Sequence, residues 1–201
     1  AQSLSLASIA DRAGSRLGWA IAHGARAVEA ASSAPPIILA EALMALVSAL
    51  SEAGHSTVET GAYLKRLDEL APQLSANHSR GMVEWTIGTA AYKAGDAEEG
   101  MARYDRARAL LSPQRDLRLW LRFHRSDATC RLDVGIADEV AELLRISATG
   151  LEIIGNNFDV VELRQAKARL SLLEGDAAAT AATIQELLAD PVLGNAEYRR
   201  G

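Results

Sequence analysis

One cysteine, Cys130, stands in a chain of 201 residues. That excludes an internal disulfide framework and any cysteine-rich metal site, and it suits a reducing compartment. Aromatic residues make up only 4% of the chain although apolar residues make up 49%, with Ala and Leu dominant. Small-into-large packing of helices is therefore expected, because Ala lets backbones approach and is the best helix former. Alternating Val, Ile, Thr and Tyr is scarce, so strands are not expected. No apolar run approaches the roughly 18 residues that cross a bilayer. The opening "AQSLSLASIADRAG" has neither the basic start nor the long apolar stretch of a signal peptide. It also begins without Met, which fits a processed chain or an excised part of a larger one. A net charge of −5 argues against a phosphate-gripping surface; the Arg cluster between Arg103 and Arg131 reads first as a solvated helix face.

What is present is a ruler. Gly14, Gly54, Gly95, Gly135 and Gly175 each sit between two helical runs, at intervals of 40, 41, 40 and 40 residues. Gly ends a helix in the left-handed conformation without a Cβ clash. Ser15, Ser56, Asp96, Asp138 and Asp176 follow closely and are expected to cap the next helix. "STVE" and "DAEE" read as capping boxes. Pro35, Pro72, Pro113 and Pro191 close the second helices, with "GNN" (155–157) doing so in the fourth unit. Helices are predicted near 4–13, 15–32, 37–53, 56–71, 79–94, 97–112, 116–133, 138–154, 158–174 and 177–189. One domain results, of five helix-turn-helix units at about 1–36, 37–78, 79–115, 116–157 and 158–201, each needing its neighbours to bury both apolar faces.

The stretch "WTIGTAAYKAGDAEEGMARYDRARALL" resembles a tetratricopeptide repeat. Ile87 and Gly88 fall at the family's Leu-Gly step, Ala91 at its tyrosine position, Gly95 and Asp96 at its turn, Gly100 at its small residue. Tyr104 and Ala107 complete the signature, and Pro113 comes one residue late. The other units keep the skeleton, with Val47, Ala128 and Ala168 at the small first-helix site and Tyr63, Leu144 and Ile184 at the large second-helix site. The 40-residue period exceeds the usual 34. In this it is similar to the tetratricopeptide-like regions behind a helix-turn-helix in bacterial, especially actinobacterial, transcriptional regulators. The resemblance implies an all-α, right-handed superhelix serving as a sensor, dimerisation or partner-binding module, with DNA contacted only through a domain outside this chain.

In such solenoids the first helices line a concave groove. Counting back from each turn glycine places Trp85, Thr89, Tyr92 and Lys93 on that wall, then Arg122, Arg125 and Thr129, then Gln165 and Arg169. Arginines and aromatics there suit a peptide held through carboxylates and backbone. The competing reading packs Trp85 and Tyr92 between repeats and leaves the arginines solvated. His124, Asp127 and Arg131 share a helix face. That acid–histidine pairing raises general-base chemistry, but no nucleophile stands at a telling distance, and a hydrogen-bonded polar patch is the expectation. His23, His55, His78 and His124 are scattered without a second ligand set, so no metal or cofactor is expected. Cys130 reads as a small buried hydrophobe.

The expected function is a non-enzymatic, cytoplasmic binding module of a transcriptional regulator, taking a peptide, small ligand or protein partner. A general protein–protein scaffold unrelated to transcription is the alternative. Homodimerisation is a further expectation, from the incomplete first unit and the apolar end residues Leu187, Leu188, Val192 and Leu193.

Overall fold

A computed structural model describes residues 1–14, 16–55, 57–155 and 157–189, without the side chains of residues 57, 157 and 158. The described residues are helical throughout, with no strand among them. Ten α-helices run in order: α1 (Gln2–Ala13), α2 (Leu17–Ala30), α3 (Pro36–Glu52), α4 (Thr57–Leu70), α5 (Asn77–Lys93), α6 (Ala97–Leu110), α7 (Leu117–Asp133), α8 (Val140–Ile154), α9 (Asn157–Leu173) and α10 (Ala177–Ala189). A short 3₁₀ turn, Ala71–Gln73, follows α4.

The chain divides into two compact units, Ala1–Leu111 and Ser112–Gly201. The expectation was one repeat domain; the division falls in the loop before α7, close to the anticipated border at 115. In the first unit α1 packs on α3 and α3 on α5, so first helices stack on first helices, while α2 and α4 each touch the first helix of the next hairpin. The second unit repeats the scheme, α7 packing on α8 and α9, and α9 on α10. Each unit has its own apolar core. Leu43, Leu46, Val47, Leu67 and Val83 are among the buried residues of the first, and Leu121, Leu144, Leu151 and Leu163 of the second.

The turns follow one chemistry. Gly95 has φ +85°, and Gly54, Gly135 and Gly175 are left-handed too. The Asp96 N–H donates to the Ala91 carbonyl at 3.0 Å, and Asp176 and Ile136 make the same six-residue closure, satisfying carbonyls that a helix end would orphan. Asp96 then accepts the Glu99 N–H at 3.1 Å and Asp176 the Ala179 N–H at 2.9 Å. Four expectations are corrected. Gly14 has φ −92°, since its helix closes one residue later through the Arg16 N–H to the Asp11 carbonyl. Asp138 caps nothing, because Glu139 takes the cap position with φ +64°. Pro35 starts α3 rather than ending α2, with Pro36 in the first turn, where its missing N–H costs no bond. The Glu99 carboxylate does not close a capping box; it takes Arg103 instead. Ser15, Ser56 (with the "STVE" box), Asn156, Pro191, Val192 and Leu193 lie outside the described residues.

Candidate functional site

The α5–α6 hairpin is the tightest part of the first unit because it is built on glycine. A Cβ at Gly88 would meet the Tyr104 ring at 2.9 Å, and one at Gly100 would meet the Tyr92 ring at 2.7 Å. Two aromatic rings therefore sit where only hydrogen atoms leave room. Tyr104 is fully buried, and Tyr92 stands edge-on to it with ring centres 5.5 Å apart, an arrangement that pairs the positive edge of one ring with the negative face of the other.

Around the Tyr104 hydroxyl runs a closed relay. The Trp85 indole N–H donates to it at 3.1 Å, and indole is a donor only. The Thr89 hydroxyl lies 2.8 Å from the same oxygen and 3.0 Å from the Trp85 carbonyl. Since that carbonyl can only accept, Thr89 donates to it and Tyr104 donates to Thr89. Three of the four residues assigned to this wall are thus committed inside the hairpin. Tyr92, expected to face a groove, is corrected to a core position, its ring filling the space that Gly100 leaves. Lys93 alone is exposed, at the end of α5, and no described carboxylate pairs with it.

The face shared by α7 and α9 is ionic. Asp159 is fully buried at the start of α9. Arg118 donates to its Oδ2 from Nε at 3.1 Å and from Nη2 at 2.7 Å, and the Arg122 Nε lies 2.9 Å from its Oδ1. Arg125 donates to Glu162 at 2.8 Å, and Arg169 pairs with Asp133. Four guanidiniums meet three carboxylates on neighbouring helices. Arg125 is buried, while Arg118 and Arg122 keep 42% and 40% of their side chains exposed. The solvated-arginine reading is therefore corrected as well. Thr129 returns its hydroxyl to the Arg125 carbonyl at 3.0 Å, and Gln165 is exposed.

Arg131 donates to the buried Asp127 at 3.0 Å and lies 3.4 Å from Glu139. His124 is buried too; its Nδ1 donates to the Trp120 carbonyl at 2.9 Å, and its ring lies tilted against Trp120, centres 4.1 Å apart, and edge-on to Phe123. Cys130 is buried and not in a disulfide. Among the described residues no group of three or more His, Cys, Asp or Glu is placed to hold a metal ion, and no helix is long and apolar enough to cross a membrane.

Arg118, Asp159, Glu162, Asp133 and Glu139 are partners that sequence reasoning missed. The signal was available. Arg118 pairs 41 residues ahead and Arg125 37 ahead, close to one repeat interval, so opposite charges one unit apart on first helices are the pattern to seek. Arg12 and Glu52, 40 residues apart, obey it in the first unit at 3.1 Å.

No protein-family model, curated protein or solved structure matches the chain.

Proposed function

We propose that this chain is a tetratricopeptide-like binding module, and that it serves a cytoplasmic transcriptional regulator whose DNA contacts lie outside it. The observation that carries the reading is the stacking of first helices on first helices inside each unit, with left-handed glycine turns recurring at Gly54, Gly95, Gly135 and Gly175. Such stacking turns a row of helix faces into a continuous surface, and repeat proteins use that surface for partners. The partner is a peptide or protein segment met through side chains of the α7 and α9 face. Arg118 and Arg122 keep about two fifths of their side chains exposed there, and Gln165 of α9 is exposed as well.

The parent reading frame tests the regulatory part. A basic helix-turn-helix encoded ahead of Ala1, with promoter binding that this module modulates, supports it. Further 40-residue units in that place overturn it in favour of a general scaffold. The binding part is tested by Arg122→Glu combined with Gln165→Glu. Unchanged partner affinity in a variant with an unchanged circular dichroism spectrum removes the face from consideration. Light scattering tests homodimerisation: Leu188 is exposed at the end of α10, and a monomeric mass ends that proposal.

A further inference from the structure

α4 is two helices in one. Its first five residues, Thr57, Val58, Glu59, Thr60 and Gly61, include three β-branched residues and a glycine, all poor helix formers. Its last nine, "AYLKRLDEL", are rich in good ones. Burial divides the same way. Leu67 and Leu70 are buried in the second half, and Asp68 is bound by Arg103 of α6. In the first half Val58 is 90% exposed, and Thr60 is the buried residue of that turn.

Gly61 is the fifth residue of the helix, and a Cβ there would meet nothing within 4 Å. That distinguishes it from Gly81, Gly88, Gly100 and Gly150, where a Cβ would come within 3.0 Å of a neighbour, while Gly18 at the start of α2 is as open as Gly61. Packing does not require this glycine, yet it costs the helix about as much as any residue but proline. Thr60 of the same turn lines a cleft of about 230 Å³, together with Ser51, His55, Ala90 and Lys93.

We infer that the first turn of α4 is a flap over this cleft, hinged at Gly61. Its opening breaks one helical turn while the second half stays fixed by Leu67, Leu70 and the Asp68–Arg103 pair. At the outer end the His55 Nδ1 lies 3.4 Å from a Glu59 carboxylate oxygen, and both side chains are exposed.

Hydrogen exchange on the whole chain tests this. The amides to read are those of residues 61–64, which bond back into the first turn; earlier amides lack helical acceptors in any helix. They should exchange at least about tenfold faster than those of residues 67–70, through a local opening. They should also outpace residues 101–104 of α6, the matched positions beyond a glycine that Tyr92 clamps. Gly61→Ala, which the space admits, should slow residues 61–64 by about fivefold and leave residues 67–70 unchanged. A thiol placed on the cleft floor by Ala90→Cys, in a Cys130→Ala background, should be alkylated through the same opening and slowed by the same factor when Gly61→Ala is added. Exchange of 61–64 no faster than in α6 means ordinary end fraying and overturns the hinge. Alkylation indifferent to Gly61→Ala overturns the flap over the cleft.

Discussion

The α5 face and the α7–α9 face were assigned the same role by their place in the repeat, yet they are built from opposite chemistry. On α5 the polar groups turn inward. Trp85 and Thr89 spend their hydrogen-bonding capacity on a buried tyrosine, and Tyr92 fills the space over Gly100. On α7 and α9 long guanidiniums reach across to the neighbouring helix, and those of Arg118 and Arg122 belong to side chains that stay partly exposed. Register in a repeat fixes where a side chain starts. Length and charge decide where it ends.

The largest consequence concerns Tyr104. Tyr104→Ala should destabilise the first unit by about 3–5 kcal/mol, the range for emptying a large aromatic site, measured by urea unfolding. Tyr104→Phe keeps the ring but removes the oxygen that accepts from the Trp85 N–H and donates to Thr89, and should cost about 1–3 kcal/mol. A Phe variant as stable as the parent would mean that the relay contributes nothing and that the contrast between the two faces is only one of ring packing.

The ionic face should give less. Asp159→Ala leaves two guanidiniums without their shared acid, but both reach solvent, so about 1–3 kcal/mol is expected rather than the 3–5 of a fully enclosed pair. Arg122→Gln alone should cost under about 1 kcal/mol, because Arg118 still holds the buried Asp159 and the Arg122 side chain is 40% exposed. Equal losses for the two substitutions would show that Arg122, not Arg118, carries the pairing.

Acid sharpens the comparison from another side. Hydrogen bonding from the Arg103 guanidinium holds the Asp68 carboxyl below its ordinary value, and Arg16 followed by His23 does the same for Asp11. A carboxyl whose folded value is depressed binds its proton more readily when unfolded. Its contribution is therefore complete above the ordinary carboxylate pKa near 4 and is lost as the pH falls through the lowered value. Both residues lie in the first unit. Asp68→Asn and Asp11→Asn should each flatten the acid dependence of that unit below about pH 4, followed by its amide signals, and leave the signals of the second unit unchanged.

Much of the fold was legible because helix punctuation is local. Gly95 and Asp96 need only their own backbone to end one helix and begin the next, and all ten helices lie close to their predicted bounds. What failed was local chemistry with two solutions. Asp138 lost the cap to Glu139, which accepts a left-handed backbone and sits within reach of Arg131, and Pro35 serves a helix start as readily as a stop. The site was less legible because a helical position does not say whether a side chain turns in or out. Trp85 reads the same on paper whether it meets Tyr104 or a ligand. Only the close approach that Gly88 and Gly100 permit decides it, and that is a property of the two helices together.

Lys93 and Gln165 are the two wall residues that are exposed with no described partner, one on each face. Lys93→Gln and Gln165→Ala should each change stability by no more than about 0.5 kcal/mol, as surface substitutions do. They are therefore the cleanest probes of binding, since any loss of affinity cannot be traced to a weakened fold. If the α7–α9 face is the one that meets a partner, Gln165→Ala lowers affinity in titration calorimetry and Lys93→Gln does not. The reverse result would assign binding to the end of α5, beside the cleft, and would make the inward-turned polar groups of that helix the support for a site rather than a substitute for one.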